Sequence, residues 1–288
     1  MTEEEYRQEW LKGLHQTEYN NCRFAKDKTK YAIEWTKKNV PNVNLENPQN
    51  IVDRINWYKI YDKDPRKVKW ADKIYAMRNL KDMGLSDIII PPVFYTYDYL
   101  ARETYLSLPE GKYIIKCNHG SGWNIRFERK KLKDAIYIFD KIKEWISLNY
   151  AYVTGYEWQY EQITPGIIIQ QDYGQLKDWM FWCENGEIKY VQTARKLGKN
   201  LEEFFTFTDA DGNKPDAYIG VEPMRFYMLE SEKVILEKMK PIAKTLASDF
   251  KFVRVDLYYI NGQVKFGELT FSPCSGKLLF GKVTNSTL

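Results

Sequence analysis

Two Asn-Gly dipeptides constrain the fold of this 288-residue chain more than any other feature. Asn185-Gly186 and Asn261-Gly262 each stand between two runs of extended-type residues. Both residues of Asn-Gly readily adopt the positive φ that a two-residue hairpin turn requires. The sequence therefore predicts two antiparallel hairpins in its last third, one joining strands 179–184 and 187–193, the other joining strands 252–260 and 263–270.

The rest of the chain mixes helical and extended segments. Thr2 and Glu5 have the spacing of a capping box, and apolar residues come after them at helical spacing. Further helices are predicted over residues 24–38, 51–61, 68–83, 131–149 and 231–250, the last capped by Ser231 and kinked at Pro241. Strands are predicted over residues 112–117, 123–128 and 166–171. Because of Pro91-Pro92, segment 88–95 is predicted as an edge strand or a loop.

Composition argues against several classes of protein. Lys and Arg number 43 and Asp and Glu 39, a net charge of +4, so we expect no nucleic-acid partner. The apolar runs are far shorter than the roughly 20 residues of a membrane-spanning helix, so we expect no stable membrane insertion. The acidic start lacks a secretory apolar region, and the four cysteines are far apart without a CxxC pair. These features predict a cytoplasmic protein.

A Gly/Ser-rich loop comes directly after the predicted strand 112–117. Lys116 ends that strand, and His119 leads into the run Gly120, Ser121, Gly122. Bare backbone N–H groups in such a loop can cradle phosphate oxygens, with the lysine as a point charge. Taken alone, the segment fits a surface hairpin turn better.

The second predicted hairpin carries polar residues on otherwise apolar strands. A two-residue turn would point Asp256 and Glu268 to opposite faces of the sheet. A three-residue loop with a bulge would pair Tyr259 with Gln263 and place Arg254 opposite Glu268. We predict this bulged register, because it gathers Asp256, Glu268 and Thr270 into a set of oxygen ligands suited to Mg²⁺ bound with phosphates.

Several segments together resemble ATP-grasp enzymes. Asp72-Lys73, Gly84 and Pro91-Pro92 resemble the opening helix of that fold and the stretch after this helix. More narrowly, residues 116–122, 155–160, 252–258 and 268–271 resemble the TupA-like ATP-grasp family of surface-polysaccharide biosynthesis. The resemblance implies an α+β ATP-grasp fold, in which two subdomains clasp ATP. We then expect a helical N-terminal segment over 1–65, a first subdomain with the lid loop over 66–174, and a second with the metal site over 175–288.

The resemblance also implies roles for residues around the phosphates. Lys73 and Lys116 would contact the phosphates of ATP. The residues Gly120, Ser121 and Gly122 would form a mobile lid over them.

For the nucleoside, the resemblance implies a hinge in strand 167–173. That hinge, with Gln170, Gln171, Asp172 and Tyr173, would stack on the adenine and bind it through backbone hydrogen bonds. Asp178 would lie near the ribose.

The remaining implied roles concern catalysis. Arg254, with Lys116, would stabilise the transferring phosphoryl group, and Asp256, Glu268 and Thr270 would hold Mg²⁺. The implied cofactors are ATP and Mg²⁺. The implied reaction joins a carboxylate of a sugar, uronic acid or glycan precursor to an amine, such as an amino acid or amino sugar, through an acyl phosphate.

The chain departs from the family pattern at three positions. Gln170 stands where Glu is expected, Met180 where relatives have Lys, and Thr270 where many ATP-grasp enzymes have a metal-binding Asn. We interpret the site as a variant with altered nucleotide binding rather than an inactive one. For Glu157 and Trp158 a packing role is favoured over a substrate contact. A glycosyltransferase of the same pathway, or a catalytically impaired nucleotide- or glycan-binding protein, remains an alternative.

Overall fold

The computed structural model describes residues 16–98, 100–129, 132–197, 202–220, 223 and 225–283. The predicted capping box at Thr2 and Glu5 and the helix after it lie outside these residues. The α-helices of the described part are α1 (16–23), α2 (Lys28–Asn39), α3 (Ile51–Tyr61), α4 (Arg66–Ala71), α5 (Lys73–Asp82), α6 (Arg102–Ser107), α7 (Leu132–Ile146) and α8 (Glu230–Ala247).

A single aspartate divides the helix predicted over residues 68–83. Asp72 ends α4 and begins α5, because its Oδ1 accepts hydrogen bonds from the N–H groups of Ile74 at 2.8 Å and Tyr75 at 3.2 Å. An N-cap of this kind satisfies backbone donors that have no partner within the helix. Lys73 therefore stands at the first position of α5.

The start of α8 differs from the prediction. The helix begins at Glu230, so the prediction of Ser231 as its cap was wrong. The Glu232 carboxylate instead accepts a hydrogen bond from the Leu229 N–H at 2.8 Å. The cap is thus Leu229, two residues before the predicted one.

The strands form three antiparallel sheets. They are β1 (Pro92–Thr96), β2 (Lys112–Cys117), β3 (Asn124–Glu128), β4 (Ile167–Gln171), β5 (Asp178–Glu184), β6 (Glu187–Leu197), β7 (Glu202–Asp209), β8 (Ala217–Ile219), β9 (Phe252–Ile260), β10 (Gln263–Thr270) and β11 (Phe280–Lys282). The first sheet has the order β1-β4-β2-β3, the second β10-β9-β5-β6-β7, and β11 pairs with β8. Of the two alternatives predicted for segment 88–95, the structure shows the edge strand, which is β1 and begins at Pro92.

Both Asn-Gly hairpins are confirmed, but the register of the second differs from the prediction. Asn261 and Gly262, at φ 50° and 83°, form a two-residue turn that pairs Ile260 with Gln263, so the predicted three-residue loop was wrong. The bulge lies farther along β10, between Phe266 and Glu268.

This bulge at Gly267 produces the shared face that the sequence led us to expect. It moves Glu268 opposite Asp256 and Thr270 opposite Arg254, whereas the prediction placed Arg254 opposite Glu268. Two-residue alternation along each strand then puts all four side chains on one face of the second sheet.

Separate apolar clusters support the two large sheets. One face of the second sheet packs on α8 and also receives Ala76 and Leu80 of α5. The first sheet packs on α6 and α7. The N-terminal helix α3 packs on the opposite face of the second sheet, where Ile55 meets Trp182 and Phe252. The polar side chains Arg254 and Asp256 lie on this same face, farther along β9, and are left toward the first sheet.

Among the residues that the structure describes, no helix combines the length and the apolar character needed to cross a membrane.

Candidate active site between the two sheets

A cavity of about 630 Å³ separates the first sheet from the polar face of the second. Every site residue predicted from the sequence lines it except Thr270. Those residues are Lys73, Lys116, Gly120, Ser121, Gly122, Gln170, Gln171, Asp172, Tyr173, Asp178, Arg254, Asp256 and Glu268. Residues as far apart in the chain as Lys73 and Glu268 thus meet in one concave site.

Two lysines line the cavity, Lys73 from the start of α5 and Lys116 from β2. The Lys73 ammonium donates to the Gly120 carbonyl at 2.6 Å and lies 3.5 Å from Glu268 Oε2. Lys116 projects from β2 nearby. Burial, assisted by the positive charge of Lys73, lowers the pKa of Lys116 to about 8. Closely spaced cations in a half-buried site favour an anionic ligand with several charges.

The sequence analysis did not predict Asp72 and Asn118, the two residues that hold Lys73 in place, as part of the site. The Asn118 side-chain amide donates to Asp72 Oδ1 at 2.9 Å and to the Thr164 carbonyl at 3.0 Å. The Lys73 N–H in turn donates to the Asn118 carbonyl at 3.2 Å. The available signal was an aspartate inside the predicted helix 68–83, because Asp is typical of an N-cap.

The loop after Lys116 is anchored at its first glycine. Gly120 is buried, and a Cβ there would lie 2.7 Å from a ring carbon of Tyr150 and 2.8 Å from one of Trp123. Ser121 and Gly122 are exposed at the mouth of the cavity. Aromatic packing therefore fixes the base of the predicted lid, and its exposed tip lines the cavity.

The second sheet contributes a linked set of charged side chains. The Arg254 guanidinium binds both Asp256 oxygens, at 2.7 and 2.6 Å, and reaches Thr270 Oγ1 at 3.4 Å. Thr270 Oγ1 donates to Glu268 Oε1 at 3.3 Å. The Thr270 hydroxyl thus bridges Arg254 and Glu268.

The two carboxylates differ in their electrostatic environment. Burial raises the pKa of Asp256, and the bound Arg254 opposes this shift. Burial also disfavours the charged form of Glu268, but Lys73, Arg254 and Lys116 together outweigh it and lower the pKa of Glu268. Glu268 is consequently ionised at neutral pH.

The predicted adenine hinge consists of β4 and the two residues after it. β4 lies between β1 and β2, so the backbone of 167–170 is already paired on both sides. One amide hydrogen of Gln170 is also engaged, since its Nε2 donates to the Ile90 carbonyl at 2.7 Å. In segment 171–173, Gln171 still pairs with Tyr113 of β2, and the Asp172 N–H donates to the Lys112 carbonyl at 3.0 Å.

That segment and the start of β5 close the far end of the cavity. Asp172 pairs with Arg126 at 2.9 Å and accepts a hydrogen bond from the Gly174 N–H at 2.9 Å. Asp178 hydrogen-bonds Tyr258, and burial together with the Asp178 charge raises the pKa of that phenol. A polar end of this kind suits a ribose and a base.

Comparison with known families decides the affiliation of the chain. Residues 53–288 match the family model described as TupA-like ATPgrasp. The chain belongs to the TupA-like ATP-grasp family. The ATP-grasp fold predicted from the sequence is therefore confirmed.

Solved structures similar to this TupA-like protein include two ligases and a synthetase. A D-alanine–D-alanine ligase from Bacillus anthracis is 14% identical with a TM-score of 0.41, covering 70% of this chain and 57% of that one. The ATP-grasp ligase PsnB, complexed with a minimal precursor, is 15% identical with a TM-score of 0.41, covering 75% and 54%. D-alanyl-alanine synthetase A from Vibrio cholerae is 10% identical with a TM-score of 0.43, covering 70% and 56%. The alignments thus span a little over half of each of these proteins, and no curated protein matches this chain.

The oxygen groups of the TupA-like site fit a magnesium ion only in company with phosphates. Asp256 and Glu268 face each other across β9 and β10, and both are hard oxygen donors. Among the described residues no three His, Cys, Asp or Glu side chains form a metal-binding group. Mg²⁺ is typically held by one or two carboxylates, with substrate phosphates and water completing its octahedron. The donor set therefore fits this ion if a nucleotide supplies the other oxygens.

Met180 occupies the position where a lysine is expected. Met180 on β5 pairs with Asp256 on β9, and it lines the cavity. The carboxylate that such a lysine would face is instead bound on both oxygens by Arg254.

Proposed function

We propose that this protein is an ATP- and Mg²⁺-dependent carboxylate–amine ligase. The observation that carries the proposal is the meeting of three cations, Lys73, Lys116 and Arg254, with two carboxylates, Asp256 and Glu268, in one cavity. Phosphoryl transfer needs cations and donors arranged around in-line oxygens and little covalent help from the protein. The absence of a His- or Cys-based nucleophile from this set agrees with that chemistry.

The reaction would proceed in two steps. A carboxylate oxygen of the substrate attacks the γ-phosphorus of ATP. The bond between this phosphorus and the bridging oxygen breaks, ADP departs, and the substrate becomes an acyl phosphate. The amine then attacks the acyl carbon, a C–N bond forms, the amine loses a proton and inorganic phosphate leaves. Lys73 and Lys116 would bind the transferring oxygens, and Arg254 would stabilise the charge that develops on them.

Magnesium would be held by Asp256 and Glu268. When bound, it neutralises the charge of the phosphates. Lys73 and Arg254, which now pair with these carboxylates, would gain phosphate oxygens as alternative partners. Segment 171–173 would hold the adenine, and Asp178 the ribose.

For the substrates, we propose a carboxylate on a sugar, uronic acid or glycan precursor, and an amino acid or amino sugar as the amine. Support comes from the resemblance of four segments to the TupA-like proteins of surface-polysaccharide biosynthesis. We further propose that the protein acts in the cytoplasm, with a nucleotide clasped between subdomains 66–174 and 175–288 after a helical segment 1–65.

Acid-dependent phosphate release tests the proposal. Purified protein with MgATP is assayed against a panel of sugar acids, each with and without amino acids or amino sugars. We expect one pair to release phosphate, and Asp256→Ala and Glu268→Ala to abolish the release. Glu187→Ala, which removes an exposed carboxylate paired with Lys244, serves as the control and should leave it unchanged.

Two other results would contradict the proposal. Turnover of a sugar nucleotide without ADP formation would indicate a glycosyltransferase. Binding of MgATP without phosphate release from any acid and amine would indicate a nucleotide-binding protein, in which Arg254 and Lys73 keep both carboxylates neutralised.

A further inference from the structure

The turn directly after β10 has an unusual backbone. Cys274 and Ser275 are both left-handed, at φ 50° and 55°, and Gly276 continues at φ 80°. Side chains with a Cβ rarely adopt this conformation, and two in succession persist only where the surroundings impose it. This turn, residues 273–276, begins three residues after Thr270.

A buried carboxylate holds the turn from one side. Both oxygens of Glu157 accept hydroxyl hydrogen bonds, from Ser272 at 2.5 Å and from Ser275 at 2.7 Å. Gln159 adds a hydrogen bond to Ser272 at 3.0 Å. Glu157 therefore fixes the turn and the residue that leads into it, which is more than the packing role predicted from the sequence.

Helix α3 holds the turn from the other side. The Lys59 ammonium donates to the Ser275 carbonyl at 2.8 Å, and the Asn56 amide donates to the Gly276 carbonyl at 2.9 Å. A Cβ on Gly276 would collide with the Asn56 side chain, so only glycine permits this approach. The helix belongs to the N-terminal segment, outside the two subdomains proposed to clasp the nucleotide.

The charges of this cluster are costly to bury. Lys59 is 3% exposed and Glu157 is 6% exposed. Burial lowers the pKa of Lys59 to about 7 and raises the pKa of Glu157, each shift being opposed by the other group or by the serines. Apolar side chains of similar volume often give equal or better stability than buried ions. Stability alone therefore does not account for the cluster.

The turn borders the phosphoryl-transfer end of the cavity. Thr270, three residues before the turn, lies 3.4 Å from the Arg254 guanidinium, which lines the cavity. A shift of the turn would move Ser272 and, through the chain, Thr270, which contacts Arg254.

We infer that Lys59 and Glu157 are positioning residues, which hold the left-handed turn 273–276 so that Arg254 and Thr270 stay aligned for phosphoryl transfer. The inference rests on the proposed function. It makes α3 a part of the catalytic apparatus rather than an accessory to it. The residues act through the turn and need no contact with the nucleotide.

The test uses Lys59→Met and Glu157→Gln in the full chain, with Ser275→Ala as a milder variant should these fold poorly. Arg54→Met is the matched control. It removes an ion pair with Glu184, at 2.7 Å, from the same helix but away from the turn.

Three readouts separate positioning from general stability. Cys274 is exposed while Cys22, Cys117 and Cys183 are buried, so its alkylation by iodoacetamide reports on the turn. We expect faster alkylation in the turn variants and an unchanged rate in Arg54→Met. Calorimetry should show unchanged MgADP affinity in all of them. Turnover of the acid and amine found by the phosphate-release screen should fall about 100-fold in kcat, with KM for ATP unchanged, in the turn variants alone.

Two results would overturn the inference. Lys59→Met and Glu157→Gln with wild-type alkylation and kcat would show that the cluster does not position the turn. An equal loss of kcat in Arg54→Met would show a general effect of stability. A wild-type protein that does not bind MgADP would instead contradict the proposed function, and the alkylation rates would still show whether the cluster fixes the turn.

Discussion

At the scale of a single residue, Lys116 lowers the stability of the free protein in a position that favours the binding of an anion. Its ammonium is held in a half-buried site beside Lys73, with Arg126 also nearby. Such a group destabilises the folded chain until an anion arrives. Residues of this kind are common where binding or catalysis requires them.

The first prediction concerns the lowered pKa of Lys116. Its folded pKa of about 8 lies below the ordinary value of 10.5, so the destabilisation is full below pH 8 and fades as the pH rises to 10.5. Lys116→Met should stabilise the nucleotide-free protein by about 1–3 kcal/mol at pH 7, and by less at pH 10. Urea unfolding at both values measures this. Lys112→Met, on the same strand but exposed, is the control, and an equal gain there would contradict the account.

Gly120 supports a second prediction. Gly120→Ala should lower the free energy of unfolding by about 1–3 kcal/mol, because the new methyl group meets the rings of Tyr150 and Trp123. It should also weaken ATP binding, since the displaced carbonyl no longer holds Lys73. Gly111→Ala places its methyl in ordinary contact with Tyr113 and should change stability by less than about 0.5 kcal/mol. Thermal unfolding with and without ATP compares the two variants, and equal behaviour would count against the anchored loop.

At the scale of elements, Asp72 links a helix start to the active-site loop. It caps α5 and binds Asn118, which precedes Gly120 of the loop by two residues. The direction of Lys73 thus depends on a helix cap and on Asn118, which lies 46 positions from Asp72.

A third prediction tests this link. Asp72→Ala should cost about 1–2 kcal/mol of stability, as expected for an N-cap. It should also weaken ATP binding, because Asp72 no longer fixes the first turn of α5, where Lys73 stands. Asp27→Ala removes the N-cap of α2, where Asp27 accepts from the Lys30 N–H at 2.9 Å, and should cost stability alone. Calorimetric ATP titration of both variants makes the comparison. Equal ATP affinity would argue against the role of Asp72.

The elements were more predictable from the sequence than their alignment. Strand β9 and strand β10 have the predicted bounds, because turn chemistry and alternation act locally. The bulge was expected in the wrong place, although a glycine inside a strand, here Gly267, is a signal for one. The meeting of Lys59 with Ser275 depends on tertiary packing between distant segments, which no local pattern reveals.

At the scale of the whole molecule, the N-terminal helices are built into the second sheet. Ile55 of α3 is fully buried in the cluster that contains Trp182 and Phe252. The same helix carries Asn56 and Lys59 to the turn beside the cavity. Its packing therefore contributes to the site as well as to stability.

Ile55→Ala tests this integration as the fourth prediction. The cavity that it creates should cost about 2–5 kcal/mol. We expect this loss to lower the unfolding temperature of the whole chain, as measured by tryptophan fluorescence and circular dichroism together. Ile136→Ala, at a 69% exposed position, should have almost no effect. A separate early transition confined to the helical signal would contradict the integrated packing.

The central claim is that Asp256 and Glu268 form a magnesium–nucleotide site. The most direct measurement is the thermal shift of wild-type protein and Glu268→Gln with ATP, in the presence and absence of Mg²⁺. At ATP near 100 times Kd, binding should add about 2.7 kcal/mol to the stability of the wild type. We predict that the magnesium-dependent part of this shift is lost in Glu268→Gln. A shift that is independent of Mg²⁺, or equal in the two proteins, would contradict the claim.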